Sequence, residues 1–106
     1  MKLKDLDILT SRAELAKLPE GKLLINTINA FSYDNARKDV LFSEALQKGD
    51  VLIPDGISIV KACRFLNAKS QPKERIAGWD LFVYEMEKLN RVGGRVMFLG
   101  SSDAVL

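Results

Sequence analysis

Three short apolar runs constrain this chain more than any other feature: Leu23-Leu24-Ile25, Val51-Leu52-Ile53 and Val96-Met97-Phe98-Leu99. Each is strand-length, and none alternates apolar with polar residues as a strand with one wet face would. Runs of this kind read as strands covered on both faces. Between them lie segments with helical periodicity and cap residues. Strands alternating with helices is the pattern of a parallel sheet, because parallel neighbours need a long crossover.

The element boundaries follow from local chemistry. Leu3, Leu6 and Ile8 alternate with charged residues, which fits a short edge strand. Ser11 followed by Glu14 has the spacing of a capping box, so a short helix is expected to about Lys17, stopped by Pro19-Glu20-Gly21. The run 23–25 should end as a strand at Asn26-Thr27. Asn29 can cap a helix containing Phe31 and Ala36. Asp39 can cap a second, with Phe42, Ala45 and Leu46 on one face and Gly49 as terminator. Pro54 closes the second run, since proline cannot donate to a ladder. From 56 to 66, Ser58, Lys61 and Arg64 form a narrow polar stripe on an otherwise apolar helix, which should be mostly buried. A polar loop, 67–73, follows. Asp80 can cap a helix with Phe82, Met86 and Leu89 inward, ending at Gly93-Gly94, and 96–99 is the next expected strand. The expected fold class is α/β: a Rossmann-like parallel sheet of three or four strands with helices on both faces.

A chain of 106 residues fits one domain, taken as 1–106. It stops just past what reads as a helix cap at Gly100-Ser101-Ser102-Asp103. We therefore expect the amino-terminal part of a longer protein, truncated at its carboxyl end. With 47% hydrophobic and 28% charged residues the composition is that of a globular protein. The 16 basic and 14 acidic residues are mixed along the chain, giving +2 overall. That pattern lacks the concentrated basic face of a nucleic-acid binder. The chain has one cysteine, Cys63, and no histidine. An intramolecular disulfide and a Cys/His zinc site are thereby excluded, and no metal or other cofactor is expected. Any general base must be a carboxylate, Tyr, Lys or Cys.

In open α/β sheets, ligands bind beyond the carboxyl ends of the strands. Three such ends precede expected helices: Asn26-Thr27-Ile28-Asn29, Pro54-Asp55-Gly56 and Leu99-Gly100-Ser101-Ser102. Amides at a helix start favour phosphate. Each residue also has a plain structural reading. Asp55, between Pro54 and Gly56, is more often a helix cap than a base. Thr27 and Asn29 are more often turn formers or caps. The 100–103 loop is neither a Walker motif nor a dinucleotide fingerprint. Arg75 can pair on the surface with Glu74, or its guanidinium can hold a diphosphate. Cys63 lies on an apolar helix face and reads as a buried structural thiol.

Taken in order, the strings Ile25-Asn26-Thr27-Ile28-Asn29-Ala30, Val51-Leu52-Ile53-Pro54-Asp55-Gly56-Ile57, Glu74-Arg75-Ile76-Ala77-Gly78-Trp79-Asp80-Leu81 and Val96-Met97-Phe98-Leu99-Gly100 resemble the WecG/TagA/CpsF glycosyltransferases. The resemblance runs from about Leu23 onward. The Pro-Asp-Gly strand end combined with Arg-x-Ala-Gly-x-Asp-Leu downstream is its specific part. It implies inverting transfer of an N-acetylmannosamine-like sugar from a UDP-sugar to an undecaprenyl-diphosphate-linked sugar, in synthesis of teichoic acid or other surface polysaccharide. By position it implies Asp55 as general base with Thr27 beside it. It implies Asn29, Gly56, Arg75, Gly78, Asp80, Gly100 and Ser101 as substrate-binding residues. Ser58 stands where relatives often have glycine, and Trp79 where a smaller residue is common. The resemblance further implies a cytoplasmic protein, peripheral at the inner face of the cell membrane through its carboxyl-terminal part. Self-association through uncovered sheet or helix surface is a further expectation. Two alternatives stay open: a non-catalytic α/β nucleotide-binding or interaction module, and a sugar-nucleotide hydrolase using Asp55.

Overall fold

The computed structural model describes residues 2–100. Its centre is a parallel pair of strands, β1 (Ile25–Ile28) and β2 (Val51–Pro54), in the register Ile25–Val51, Asn26–Leu52, Thr27–Ile53, Ile28–Pro54. Two helices make the crossover, α1 (Ala30–Lys38) and α2 (Val40–Lys48), followed after β2 by α3 (Ile57–Phe65) and α4 (Gly78–Val92). The α/β class expected from the apolar runs is therefore observed, with a sheet of two strands among the described residues rather than three or four.

β2 is the middle of this arrangement. β1 flanks one edge; on the other, the Leu9 amide donates to the Leu52 carbonyl (2.9 Å) and the Ile76 amide to the Pro54 carbonyl (2.7 Å). Both faces of the strand are covered, as its unbroken hydrophobicity requires. One face carries Leu52 and Ile28 into a cluster with Leu3, Leu6, Ile8, Leu46, Ile59 and Cys63. The other carries Ile53 into a smaller cluster with Leu15 and Ile76, against which Leu81 and Tyr84 of α4 pack.

The cap residues act largely as read. Asn29 caps α1 through a reciprocal pair of bonds with Ser32 (2.8 and 2.9 Å), and Asp39 accepts from the Phe42 amide to start α2. Gly49 terminates α2. Cys63 is fully buried, and that burial pushes its thiol above the ordinary pKa range.

Several expectations are corrected. Leu3–Asp5 forms a 3₁₀ turn and not an edge strand, and its Leu3 side chain is buried. The Arg12–Lys17 segment is also 3₁₀, and Ser11 makes no side-chain cap. Glu14 reaches back one residue further, to the Thr10 amide and hydroxyl, and these bonds hold its carboxyl below the ordinary range. β1 begins at Ile25 and runs to Ile28, two residues later than the apolar run suggests, so Thr27 lies within the strand. In α2 the buried residues are Ser43 and Leu46, while Phe42 is exposed. α3 buries Ile59, Val60 and Cys63, but Ile57, Phe65 and Leu66 face outward, so the helix is half-covered. On α4 the residues facing the core are Leu81 and Tyr84, one position off the expected Phe82, Met86 and Leu89 stripe. Phe82 instead stacks on Trp79 and meets Phe98, at centroid distances of 5.3 and 5.9 Å.

The largest departure is 96–99. It forms no strand, with Met97 82% and Leu99 94% exposed. Strand structure needs a laddered neighbour to satisfy its amides and carbonyls. Among the described residues this stretch has none.

Candidate active site

The β1–β2 register fixes the geometry of the carboxyl edge. Side chains alternate with a period of two, so Thr27, opposite Ile53, lies on the sheet face toward which Asp55, two residues beyond Ile53 and just past the end of β2, continues. The ladder continues to that point, since the Asp55 amide donates to the Ile28 carbonyl at 2.8 Å. Thr27 and Asp55 are thus neighbours at one strand-end corner, Thr27 exposed and Asp55 half-buried.

Asp55 does not cap the helix that follows. Gly56 takes the cap position of α3 with φ +157°, and no side chain closes that helix start. The cap reading of Asp55 is therefore corrected. In the backbone path set by Gly56, α3 begins one residue too late for the Asp55 carboxylate to be its cap. No buried side-chain oxygen among the described residues lacks a hydrogen-bond partner, so the uncommitted Asp55 carboxylate is open to solvent. Gly56 itself sits between Asn29 and Ser58, and a Cβ added there would lie 3.7 Å from the Asn29 Cβ. Asn29 is present at the same corner, but its Oδ1 is spent on α1.

The segment 73–80 is laid against this corner. The Lys73 amide donates to the Thr10 carbonyl (2.8 Å) and the Ile76 amide to Pro54, the residue before Asp55. Ile76 is fully buried and anchors the segment. Arg75, just before that anchor, is exposed. Its expected surface pair with Glu74 is not formed, because Glu74 accepts from the Arg12 amide (2.8 Å) and pairs with the Arg12 guanidinium (3.5 Å). Gly78 is the first residue of α4, with open space where a Cβ would be. Asp80 lies in the first turn of α4 rather than at its cap. Its Oδ2 accepts from the Ala77 amide at 2.8 Å and pairs with Arg12 at 3.6 Å. Arg12 was not singled out by sequence reasoning. Its partners lie 62 and 68 positions away, and only the fold brings them together.

Among the described residues, Gly100 makes no close approach where a Cβ would be. It follows the exposed 96–99 stretch, at φ +118°. Ser101 lies outside the described residues. A groove of about 480 Å³ lined by Leu15, Leu18, Leu23, Ile25 and Tyr84 opens at the other end of β1, away from Asp55. The carboxyl-edge corner therefore combines a solvent-open carboxylate, a hydroxyl, an uncapped helix start and an unpaired-with-Glu74 guanidinium nearby. A carboxylate can take a proton there, and amides and a guanidinium can hold a phosphate.

The chain resembles known proteins over almost all its length. It is 29% identical over 103 residues to the N-acetylglucosaminyldiphosphoundecaprenol N-acetyl-beta-D-mannosaminyltransferase of Bacillus spizizenii, covering 96% of this chain and 39% of that protein. It is 30% identical over 83 residues to the protein of the same name from Bacillus subtilis, covering 78% of this chain and 32% of the relative. The chain thus spans about a third to two-fifths of the length of these relatives. No solved structure matches it significantly. The profile of the glycosyl transferase WecG/TagA/CpsF family matches residues 3–106, and the chain belongs to that family.

Proposed function

We propose that this chain carries the catalytic corner of an inverting glycosyltransferase, which moves an N-acetylmannosamine-like sugar from a UDP-sugar to a sugar on undecaprenyl diphosphate. The observation that supports it most directly is Asp55. Its carboxylate stands at the carboxyl end of a central strand, is not consumed by the adjacent helix, and is open to solvent. An inverting transfer needs a base on the face of the sugar opposite the departing diphosphate. With no histidine in the chain, a carboxylate is the natural group to accept the acceptor's hydroxyl proton.

In this reading Asp55 removes that proton as the new glycosidic bond forms, and the bond from the anomeric carbon to UDP breaks. Thr27, on the same sheet face, orients the acceptor or donor by its hydroxyl. Asn29, Gly56 and Gly78 shape the corner; Asp80 holds the Arg75 segment. Arg75 and the uncapped amides of α3 stabilise the leaving diphosphate, which needs charge compensation rather than covalent chemistry. Gly100 and Ser101 belong to the proposed nucleotide loop. Among the described residues no helix is long and apolar enough to cross a membrane. In this reading the lipid-linked acceptor is reached by peripheral contact at the inner membrane face.

Asp55→Asn in the full-length protein tests the reading. It should lower turnover by about 10²–10⁴-fold while leaving the melting temperature nearly unchanged, since among the described residues the carboxylate makes no hydrogen bond or ion pair. Unchanged turnover would remove Asp55 as base. Product analysis of a UDP-sugar incubation decides between transfer and hydrolysis: sugar on lipid only when acceptor is present supports transfer, and free sugar released without acceptor supports the hydrolase.

A further inference from the structure

Arg75 is useful to a diphosphate only if its guanidinium is not neutralised by its own neighbours. Two carboxylates flank it in sequence: Glu74 immediately before and Asp80 five residues on. Either could draw Arg75 into an ion pair or repel an anionic ligand from it. In the fold both are turned toward Arg12. Its Nη1 lies 3.5 Å from Glu74 Oε2 and its Nη2 3.6 Å from Asp80 Oδ2, and its backbone amide donates to Glu74 Oε1 at 2.8 Å. Three further bonds fix the same stretch: Lys73 to Thr10, Ile76 to Pro54, and Ala77 to Asp80. Among the described residues, Arg12 is the one cation that ties the beginning of this stretch to the start of α4.

We propose that Arg12 is a positioning residue that keeps Arg75 available to the diphosphate of a nucleotide-sugar donor, by pairing with Glu74 and Asp80, which backbone amides hold beside this segment, and so neutralising them. This rests on the assignment of Arg75 to the donor. The guanidinium fork matters because its two nitrogens reach two carboxylates at once, which an ammonium does less well. The three side chains are partly exposed, so the pairs are screened and the effect is graded rather than absolute.

The test uses the full-length protein with UDP alone as the binding probe, followed by steady-state kinetics with the UDP-sugar. Arg12→Ala should weaken UDP binding about five-fold and raise the donor KM by a similar factor, with kcat little changed. Arg12→Lys should fall between it and the native protein. Adding Glu74→Gln to Arg12→Ala should restore binding to within about two-fold, because the carboxylate that Arg12 no longer neutralises is gone while an acceptor for the residue-12 amide remains. A merely structural role would lower kcat through a smaller folded fraction, leave KM alone and gain nothing from Glu74→Gln. Native-like UDP binding in both Arg12 variants, or no rescue by Glu74→Gln, overturns the proposal. Arg75→Ala separates this from failure of the site itself. If Arg75→Ala binds UDP normally, the assignment of Arg75 is wrong and the role of Arg12 falls with it. If Arg75→Ala weakens binding and the Arg12 variants do not, only Arg12 is misassigned. If Arg12→Ala does not fold, Arg12→Lys carries the same comparison.

Discussion

At the scale of the residue, a carboxylate serves as a base only when the fold has not already employed it, and the glycine next to Asp55 is what leaves it unemployed. Gly56 turns at φ +157°, a conformation side chains rarely adopt, and α3 starts from it with no side-chain cap. Space is not the constraint, because an added Cβ would meet Asn29 and Ser58 at ordinary contact distances of 3.7 and 3.8 Å. Gly56→Ala should therefore cost about 1–3 kcal/mol through backbone strain alone, read as a lower denaturation midpoint. A midpoint equal to the native one would show that the turn relaxes freely. Cys63 offers a second test, in pH. Burial raises its pKa in the folded state, so the neutral thiol contributes stability fully below the unfolded thiol pKa, about 8.5. That contribution is lost as the pH rises from there through the folded value. Between pH 7 and pH 10 the native protein should lose more stability than Cys63→Ala. Equal losses would show that the thiolate is accommodated without penalty.

At the scale of the element, what could be read from sequence is what local chemistry decides. Asn29, Asp39 and Gly49 bound α1 and α2 because caps act within one turn of chain. β2 and its Pro54 end were legible for the same reason. The face of α4 was misread by one position, since Leu81 and Phe82 are equally apolar and only the position of Ile53 and Ile76 chooses between them. The 96–99 run has the composition of a strand, but composition supplies no ladder partner. Of the candidate site, Asp55 was legible as the residue that follows the Pro54 strand end, while Thr27 stands one residue inside β1, and the Arg12 links to Glu74 and Asp80 depend on tertiary packing and leave no local mark. The end of α3 was read only as a polar loop, yet it has a definite motif. Asn67 stands at φ +50°, its amide donates to the Arg64 carbonyl, and the Ala68 amide donates to Cys63. These are the paired bonds of a Schellman ending, which favours glycine and tolerates asparagine. Asn67→Gly should be neutral or slightly stabilising, and Asn67→Val should cost about 1–2 kcal/mol, both read by urea unfolding. A valine variant as stable as the native chain would contradict that backbone assignment.

At the scale of the whole molecule, the proposed transfer raises the question of what would balance the charge of a departing diphosphate when the chain carries only +2 in total. α1 offers little, because Asn29 and Ser32 already close its start. α3 offers its first amides, which no side chain caps, and Arg75 adds a full charge that Glu74 does not neutralise. A divalent cation would be the other solution, and it needs converging oxygen ligands. The carboxylates of the adjoining 73–80 segment are otherwise engaged, Glu74 and Asp80 both on Arg12. Among the described residues Asp55 alone faces the corner uncommitted, and a single carboxylate makes a poor site for magnesium. We therefore expect magnesium, titrated into the full-length protein in the absence of nucleotide, to give no saturable heat at millimolar concentration. Turnover should also persist in excess EDTA. Loss of turnover in EDTA with recovery on magnesium, abolished by Asp55→Asn in a binding titration, would make Asp55 a metal ligand instead of a base. Persistence of turnover would leave the leaving group to Arg75 and α3, and Arg75→Ala should then cost more than any neutral substitution at this corner other than that of Asp55.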